Sequence, residues 1–239
     1  MCMNKLLILV KRLFIILGID IKLLKNKDSD IWLKKKKIRT IIDIGANSGQ
    51  FASKMRKLFP DARIISFEPL PDEFNKLNNR FKKDTFFESY NMAIGDVEET
   101  IQMFQNEFSA SSSILEIDKI HITNFPETYK TKVINVKSIR LDDFLRNRSL
   151  DKQILIKIDV QGFENKVING GKEILNSADI LIIEMSFYPL YKEQPLFHEI
   201  YTSLFEIGFV FQGIYDQLYS PIDRTILQAD GIFTRKAVS

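Results

Sequence analysis

Three stretches of this chain set charged side chains beside glycine or proline in patterns that suit ligand chemistry. The first is Asp43-Ile-Gly-Ala-Asn-Ser-Gly49, which follows the apolar Thr40-Ile-Ile42 and precedes the amphipathic Gln50 to Phe59. It reads as a strand, a tight turn and a helix, with Gly45 and Gly49 letting backbone approach a bound molecule. The N–H groups of the helix start are then expected to be offered to that molecule. The second is Glu68-Pro69, at the end of the apolar Arg63-Ile-Ile-Ser-Phe67, where a carboxylate can accept hydrogen bonds from both hydroxyls of a ribose. The third is Lys157-Ile-Asp159, closing the apolar Ile154-Leu-Ile156. Two charges two residues apart share one face of a strand.

Two cofactor classes use a strand, glycine turn and helix: dinucleotides and S-adenosylmethionine (SAM). A dinucleotide fingerprint needs glycine at its first, third and sixth positions, and from Gly45 those positions hold Gly45, Asn47 and Gln50. A nicotinamide-dependent oxidoreductase is therefore the weaker reading. SAM has no pyrophosphate, so the turn from Asp43 through Ala46 and Asn47 to Gly49 need only skirt an amino-acid group and a ribose. Methyl transfer to a hydroxyl requires alignment and removal of a proton, which calls for a base or a metal. Asp159, at a strand tip on the carboxyl edge of the sheet, is the first choice of base. Lys157 has two readings: a structural ion pair with Asp159 or Glu184, or a group that tunes Asp159 and steadies a forming alkoxide. Glu164 suits the first turn of a helix. Asp159, Glu184 and one of Asp142 or Asp143 could together hold Mg2+, and the metal question stays open. His121 is a candidate base on a closing lid, and His198 reads as surface or packing. Phe108, Phe125, Tyr129, Phe187 and Tyr188 read as core material or as a sugar platform.

The elements that must position these groups alternate as βαβ units do. Strands are expected over 38–44, 63–67, 86–91, 154–159 and 179–184, with helices over 50–58, from Pro71 to about Lys83, from Gly162 onward and over 196–206. Ala93-Ile-Gly95 reads as an exit turn. Residues 98–138 break the rhythm with an extra strand over 100–105 and a mobile loop over 106–113, a type of insertion that often carries substrate contacts. Lys132 to Ile139 reads as a strand, 141–145 as a short helical turn, and 209–212 and 231–234 as late strands.

Taken together, Asp43 to Phe51, Ser66-Phe-Glu-Pro-Leu-Pro71 and Lys157-Ile-Asp-Val-Gln-Gly-Phe-Glu164 resemble the FkbM-type family of SAM-dependent methyltransferases, over roughly residues 38 to 233. The resemblance implies an α/β class I methyltransferase (Rossmann-like) fold: a seven-stranded, mostly parallel sheet with an antiparallel last strand and helices on both faces. It implies O-methylation of a hydroxyl on a sugar, glycan, glycolipid or secondary metabolite. Residue by residue, it makes 43–49 the wall around the methionine part of SAM and gives the ribose to Glu68. Ala93 and Ile94 go to the adenine edge, and Asp159 to the methionine side facing the methyl group. A SAM-binding or membrane-associated interaction protein without turnover is the non-enzymatic alternative.

Length and composition agree with one such domain, expected over 38–239 after an N-terminal helical extension over 1–37. The chain has 239 residues, 45% hydrophobic and 27% charged, with 34 basic and 31 acidic residues for a net charge of +3. That balance does not imply nucleic acid. The single cysteine, Cys2, can form no internal bridge, which suits a cytoplasmic protein. Lys11 and Arg12 split the apolar run Lys5 to Leu17 short of a membrane span. The run is expected to be an extra helix that packs on the body, on a second copy or on a membrane surface.

Overall fold

The computed structural model describes residues 31–235. The chain divides into two compact units, 1–35 and 36–239. In the first, only the short helix Ile31–Lys34 is described. The expected helix over Lys5 to Leu17, its membrane or subunit contacts, and Cys2 lie outside the described residues.

The second unit is built on a seven-stranded sheet in the order β3-β2-β1-β7-β8-β10-β9. The strands are β1 (Thr40–Ile44), β2 (Arg63–Phe67), β3 (Phe87–Tyr90), β7 (Ile154–Ile158), β8 (Ile180–Ser186), β9 (Phe209–Tyr219) and β10 (Ile226–Arg235). All neighbouring pairs are parallel except those of β10, which runs antiparallel to both β8 and β9. This is the class I methyltransferase topology that the sequence resemblance implies.

Every position of β1 and β7 is buried, because both faces of a sheet with helical crossovers are covered. One face carries Ile42, Ile44, Ile156, Ile158, Leu181 and Ile183. Against it pack α4 (Leu141–Leu145), α5 (Glu164–Gly170), α6 (Lys172–Ser177) and α7 (Phe197–Glu206) through Leu141, Val167, Leu175 and Leu204. The crossovers α1 (Gln50–Leu58) and α2 (Pro71–Phe81) bury Ala52, Met55, Leu77 and Phe81. Proline at the first position starts α2 without loss of a hydrogen bond.

The interruption between β3 and β7 forms a separate three-stranded sheet, β4-β6-β5, from β4 (Ala93–Gly95), β5 (Glu99–Asn106) and β6 (Thr131–Arg140). Ala93-Ile-Gly95 is thus a strand, paired parallel with Ser138 to Arg140, and not an exit turn. Three residues are too few to show alternation. The loop over 106–113 is held in place: Phe104 and Ser113 exchange backbone hydrogen bonds, Asn106 Nδ2 donates to Thr128 O at 2.5 Å, and Ser113 Oγ donates to Gln161 O at 2.5 Å. The helix α3 (Lys119–Asn124) follows. Neither α3 nor α6 was anticipated, since six residues span too little of a helical period to leave a pattern.

Candidate functional site

The carboxyl ends of β1, β2 and β7 open onto a cavity of about 310 Å³. Of the residues expected to bind a cofactor, Asp43, Gly45, Ala46, Asn47, Glu68, Pro69, Ala93, Ile94 and Asp159 line it, as does Lys157. Ala93 and Ile94 reach it from β4, and Met103, Ser109, Ala110, Ser112 and Ile114 reach it from the inserted segment.

Gly49 is not among the lining residues. Its φ is +87°, and a Cβ there would come 2.7 Å from Leu77 Cδ1 and 2.9 Å from Phe81 Cε2. The glycine therefore lets α1 start against α2. Gly45, at φ +81°, lines the cavity, but its missing Cβ is dictated by protein as well: it would fall 1.8 Å from Asp159 O. The two glycines answer to packing before they answer to a ligand.

The amides of the turn itself, ahead of the helix, are spent within the protein. Gly45 and Ala46 both donate to Phe67 O, and Gly49 donates to Ala46 O. Asn47 N donates to Glu68 Oε2 at 2.7 Å, and Ser48 N donates to Asn47 Oδ1 at 2.7 Å. All five N–H groups from 45 to 49 are satisfied within the protein, so the turn is no anion cradle. What faces the cavity is acceptor capacity. Glu68 is buried and accepts one amide on each oxygen, Asn47 N on Oε2 and Leu70 N at 2.8 Å on Oε1. Each oxygen keeps lone-pair capacity for a further donor. Asp43 is buried, and its Oδ2 has no hydrogen-bond partner. Burial raises both carboxyls to about 7, against the amides of Leu70 and Asn47 at Glu68 and against Lys157 and the Ala52 amide at Asp43.

Lys157 stands opposite Asp43 in the β1–β7 register, and its Nζ lies 2.8 Å from Asp159 Oδ2 and 3.7 Å from Asp230 Oδ2. Burial opposes its charge, but Asp159 and Asp230 more than reverse this and hold the ammonium above its ordinary range. Asp159 is pulled below the carboxylate range because Lys157 outweighs the burial that would raise it. Burial and the charge of Asp159 raise Glu184 well above the ordinary value, and burial lifts Asp230 to about 6. Lys157 is thus paired with Asp159 and Asp230, and Glu184 is not a partner at bonding distance. Glu164 is buried, and its Oε1 accepts from the amides of Val160 and Gly162 at 3.2 and 3.1 Å. It therefore braces the turn before its helix.

The Mg2+ set that the sequence left open, with one of Asp142 or Asp143 in it, is not brought together. Asp142 accepts the amides of Glu173 and Ile174 at 3.2 and 3.0 Å, capping α6, and Asp143 pairs with Arg140 and Arg146. A capping carboxylate at the start of a helix satisfies N–H groups the helix cannot. Asp230 takes the place expected for them, since oxygens of Asp159, Glu184 and Asp230 lie within 4.8 Å of one another. The ammonium of Lys157 already supplies a cation to Asp159 and Asp230. Gln161 Nε2 donates to both Asp159 Oδ1 and Glu184 Oε2 at 2.8 Å, with its N–H groups where a metal would need bare oxygens.

His121 is no base of this cavity. It is buried with both ring nitrogens unpartnered, edge-on to Phe125 and Tyr191 at 5.4 and 5.2 Å, and burial lowers it to about 4. His198 is exposed on α7. Phe108, Tyr129, Phe187 and Tyr188 are exposed but do not line the cavity, while Phe125 packs with Leu190 and Tyr191. Sequence reasoning missed Asp230 and the role of Gln161. Asp230 sits inside the late strand β10 with no motif around it.

An α/β sheet of this order, with an acceptor-lined cavity at the tips of β1, β2 and β7, defines a nucleoside-binding protein of the class I methyltransferase type. Residues 43–211 match the Methyltransferase FkbM domain, and the chain belongs to that family. It is 31% identical over 161 residues to the 2-O-methyltransferase NoeI of Sinorhizobium fredii, covering 64% of this chain and 66% of that protein. It is 26% identical over 146 residues to the hexuronic acid methyltransferase AglP of Haloferax volcanii, covering 60% and 54%. The match thus spans just under two thirds of the first relative and about half of the second. The crystal structure of an rRNA methylase from Streptococcus thermophilus shares 10% identity over 91% of this chain and 99% of that one. Its TM-score is 0.48, a likeness too distant to bear on function.

Proposed function

We propose that this chain is a SAM-dependent O-methyltransferase acting on a hydroxyl of a sugar, glycan, glycolipid or secondary metabolite. The observation that carries the reading is the polarity of the cavity. Its turn amides are spent and its carboxylates Asp43 and Glu68 keep free acceptor capacity, so it fits a ligand that brings a cation and hydroxyls and repels a pyrophosphate. SAM is such a ligand. Asp43 would take the amino group, Glu68 the ribose hydroxyls, and Ala93, Ile94 and Met103 the apolar base. When bound, SAM supplies an electrophilic methyl group. The chain's own part would be to hold an acceptor hydroxyl in line and to receive its proton, a role we assign to Asp159 of the cavity wall.

Lys157 keeps Asp159 ionised over the neutral range, ready to accept, and serves as the countercharge that a divalent ion would otherwise provide. The names of NoeI and AglP, which specify 2-O-methyl transfer and a hexuronic acid, support a carbohydrate acceptor. Calorimetric titration with SAM, its demethylated product S-adenosylhomocysteine (SAH) and NAD tests the donor. Binding of NAD in place of SAM would refute the reading. Labelled methyl transfer to a panel of sugars and glycans, with and without EDTA, then tests turnover. SAM binding without transfer to any hydroxyl would point to a binding protein, and loss with EDTA restored by Mg2+ would displace Lys157 as the countercharge.

A further inference from the structure

Gln161 follows the end of β7 by three residues and adopts φ +54°, a left-handed conformation that is costly for a residue with a Cβ and persists where surroundings enforce it. The surroundings are four hydrogen bonds. Gln161 Nε2 donates to Asp159 Oδ1 and to Glu184 Oε2, both at 2.8 Å. Gln161 Oε1 accepts from Tyr191 Oη at 2.8 Å, and the backbone carbonyl accepts from Ser113 Oγ at 2.5 Å. With the Asp159 carboxylate at one end of the amide and the Tyr191 hydroxyl at the other, the side chain is held in one orientation. Asp159 is consequently held on both oxygens, by Gln161 on Oδ1 and by Lys157 on Oδ2. The inserted segment reaches the same residue twice, directly through Ser113 and through Tyr191, whose ring packs on His121 of α3.

We propose that Gln161 is a positioning residue of the transfer site, one that fixes the Asp159 carboxylate and couples it to the inserted segment so that base and acceptor wall are set together. The proposal rests on the methyl-transfer reading above. Its physical content is a single hydrogen-bonded unit in which Ser113, Tyr191, Gln161, Asp159 and Glu184 move as one. Among the described residues, the other charged groups around Asp159 are Lys157 of β7, Asp43 of β1, Glu164 of α5, Glu184 of β8 and Asp230 of β10. Among the described residues, only Lys157 and the Gln161 amide favour its ionised form, so loss of the amide shifts its titration upward.

The test compares Gln161→Ala, Gln161→Gly and Tyr191→Phe in the full chain. Both Gln161 variants are expected to lose about 10- to 100-fold in kcat with KM for SAM changed less than about threefold, the pattern of lost alignment. Gln161→Gly should unfold at or above the Tm of Gln161→Ala, since glycine suits φ +54°, and Tyr191→Phe should lose less than either. Independently of turnover, the 13C carboxyl signal of Asp159, assigned with Asp159→Asn, should titrate at higher pH in ligand-free Gln161→Ala. An unchanged Asp159 titration overturns the proposal. So does recovery of kcat in Gln161→Gly in step with its Tm, which would make the role purely structural. A wild-type protein that methylates no acceptor would sink the functional reading instead, and the ligand-free titration would still decide this one.

Discussion

Lys157→Met removes the only basic side chain that lines the cavity among the described residues while nearly keeping its length, and its consequence depends on pH in a way that can be worked out. At an effective dielectric of about 20, the attractions across 2.8 Å to Asp159 and 3.7 Å to Asp230 are ~6 and ~4 kcal/mol. Two effects reduce what is lost. The Asp159 side chain is 31% exposed, so water compensates in part, and a carboxylate without its cation takes up a proton. Removal of one partner of a buried pair therefore costs about 3 kcal/mol here, the low end of the usual range. The sign follows from the two pKa positions of Asp159. In the native protein the carboxyl is held low, so its contribution is present above the ordinary carboxylate value and lost as pH falls through the lowered one. In the variant the same carboxyl is raised by burial and by Glu184, Asp230 and Asp43, so the variant weakens as pH rises. The stability gap is then small near pH 4 and opens by roughly 1.4 kcal/mol per pH unit for each proton released, reaching about 3 kcal/mol by pH 8. Urea unfolding of both proteins at pH 5 and pH 8, with unchanged m, measures it. A gap equal at the two pH values, or under about 1 kcal/mol at pH 8, would show that Lys157 is not the countercharge of this cluster.

Affinity for SAH should tighten about tenfold between pH 6 and 8 for each carboxyl near 7 that must ionise to bind it; Asp43→Asn should remove one such step in calorimetry, and a flat profile would exclude Asp43 from the ammonium site. Gly45→Ala, whose Cβ would meet Asp159 O at 1.8 Å, should not yield folded protein, whereas Gly49→Ala, at φ +87°, meets side-chain atoms of Leu77, Phe81 and Arg80 and should cost about 2 kcal/mol through that contact and the backbone strain. Asp142→Ala should lower stability by about 1 kcal/mol through loss of the α6 cap with methyl transfer unchanged; a large loss of transfer would return Asp142 to the site. His121 is neutral and depressed to about 4 by burial, so it favours the fold at neutral pH and that support fades as pH falls below the ordinary histidine value. His121→Phe should accordingly unfold less readily than the native chain near pH 4.5, judged by circular dichroism.

The sheet was legible because its strands announce themselves. Thr40-Ile-Ile42, Arg63-Ile-Ile-Ser-Phe67 and Ile154-Leu-Ile156 are continuous apolar runs ending in charge, and a chain that buries both faces of a strand has little other use for such a run. The cavity wall was legible for the same reason: strand tips at the carboxyl edge collect the polar residues of a ligand site. What could not be read was the destination of hydrogen bonds. Nothing in Asp43 to Gly49 discloses that Phe67 O takes two of its amides and Glu68 a third, since these partners lie some twenty residues away across a sheet. Nor does local sequence tell a helix-capping aspartate from a ligand-binding one, and Asp142 and Asp143 were misplaced on that account. Asp230 was invisible because its meaning comes from antiparallel pairing with Glu184, a register that no motif encodes.

The pairing of Asp159 with Lys157 bears on rate as well as on stability. On the proposed reading the donor enters with a sulfonium charge that disappears as the methyl group moves. An unpaired carboxylate beside that charge would stabilise the ground state more than the transition state and would slow the reaction. The cavity nevertheless needs carboxylates, because the amino group and hydroxyls of the donor must find acceptors. Geometry separates the two demands. Asp43 and Glu68, which titrate near 7, lie along the turn and at the tip of β2, while Asp159 is neutralised by an ammonium 2.8 Å away. The field at the transferring methyl is thereby weakened without removing the group that takes the proton. A Lys157→Met variant that remains folded at pH 8, where its Asp159 has released its proton, should therefore bind SAM, which carries the sulfonium, more tightly relative to SAH than the native chain does. It should also turn over more slowly. If calorimetry showed the SAM-to-SAH affinity ratio unchanged, Lys157 would act on Asp159 alone and not on the charge that is lost.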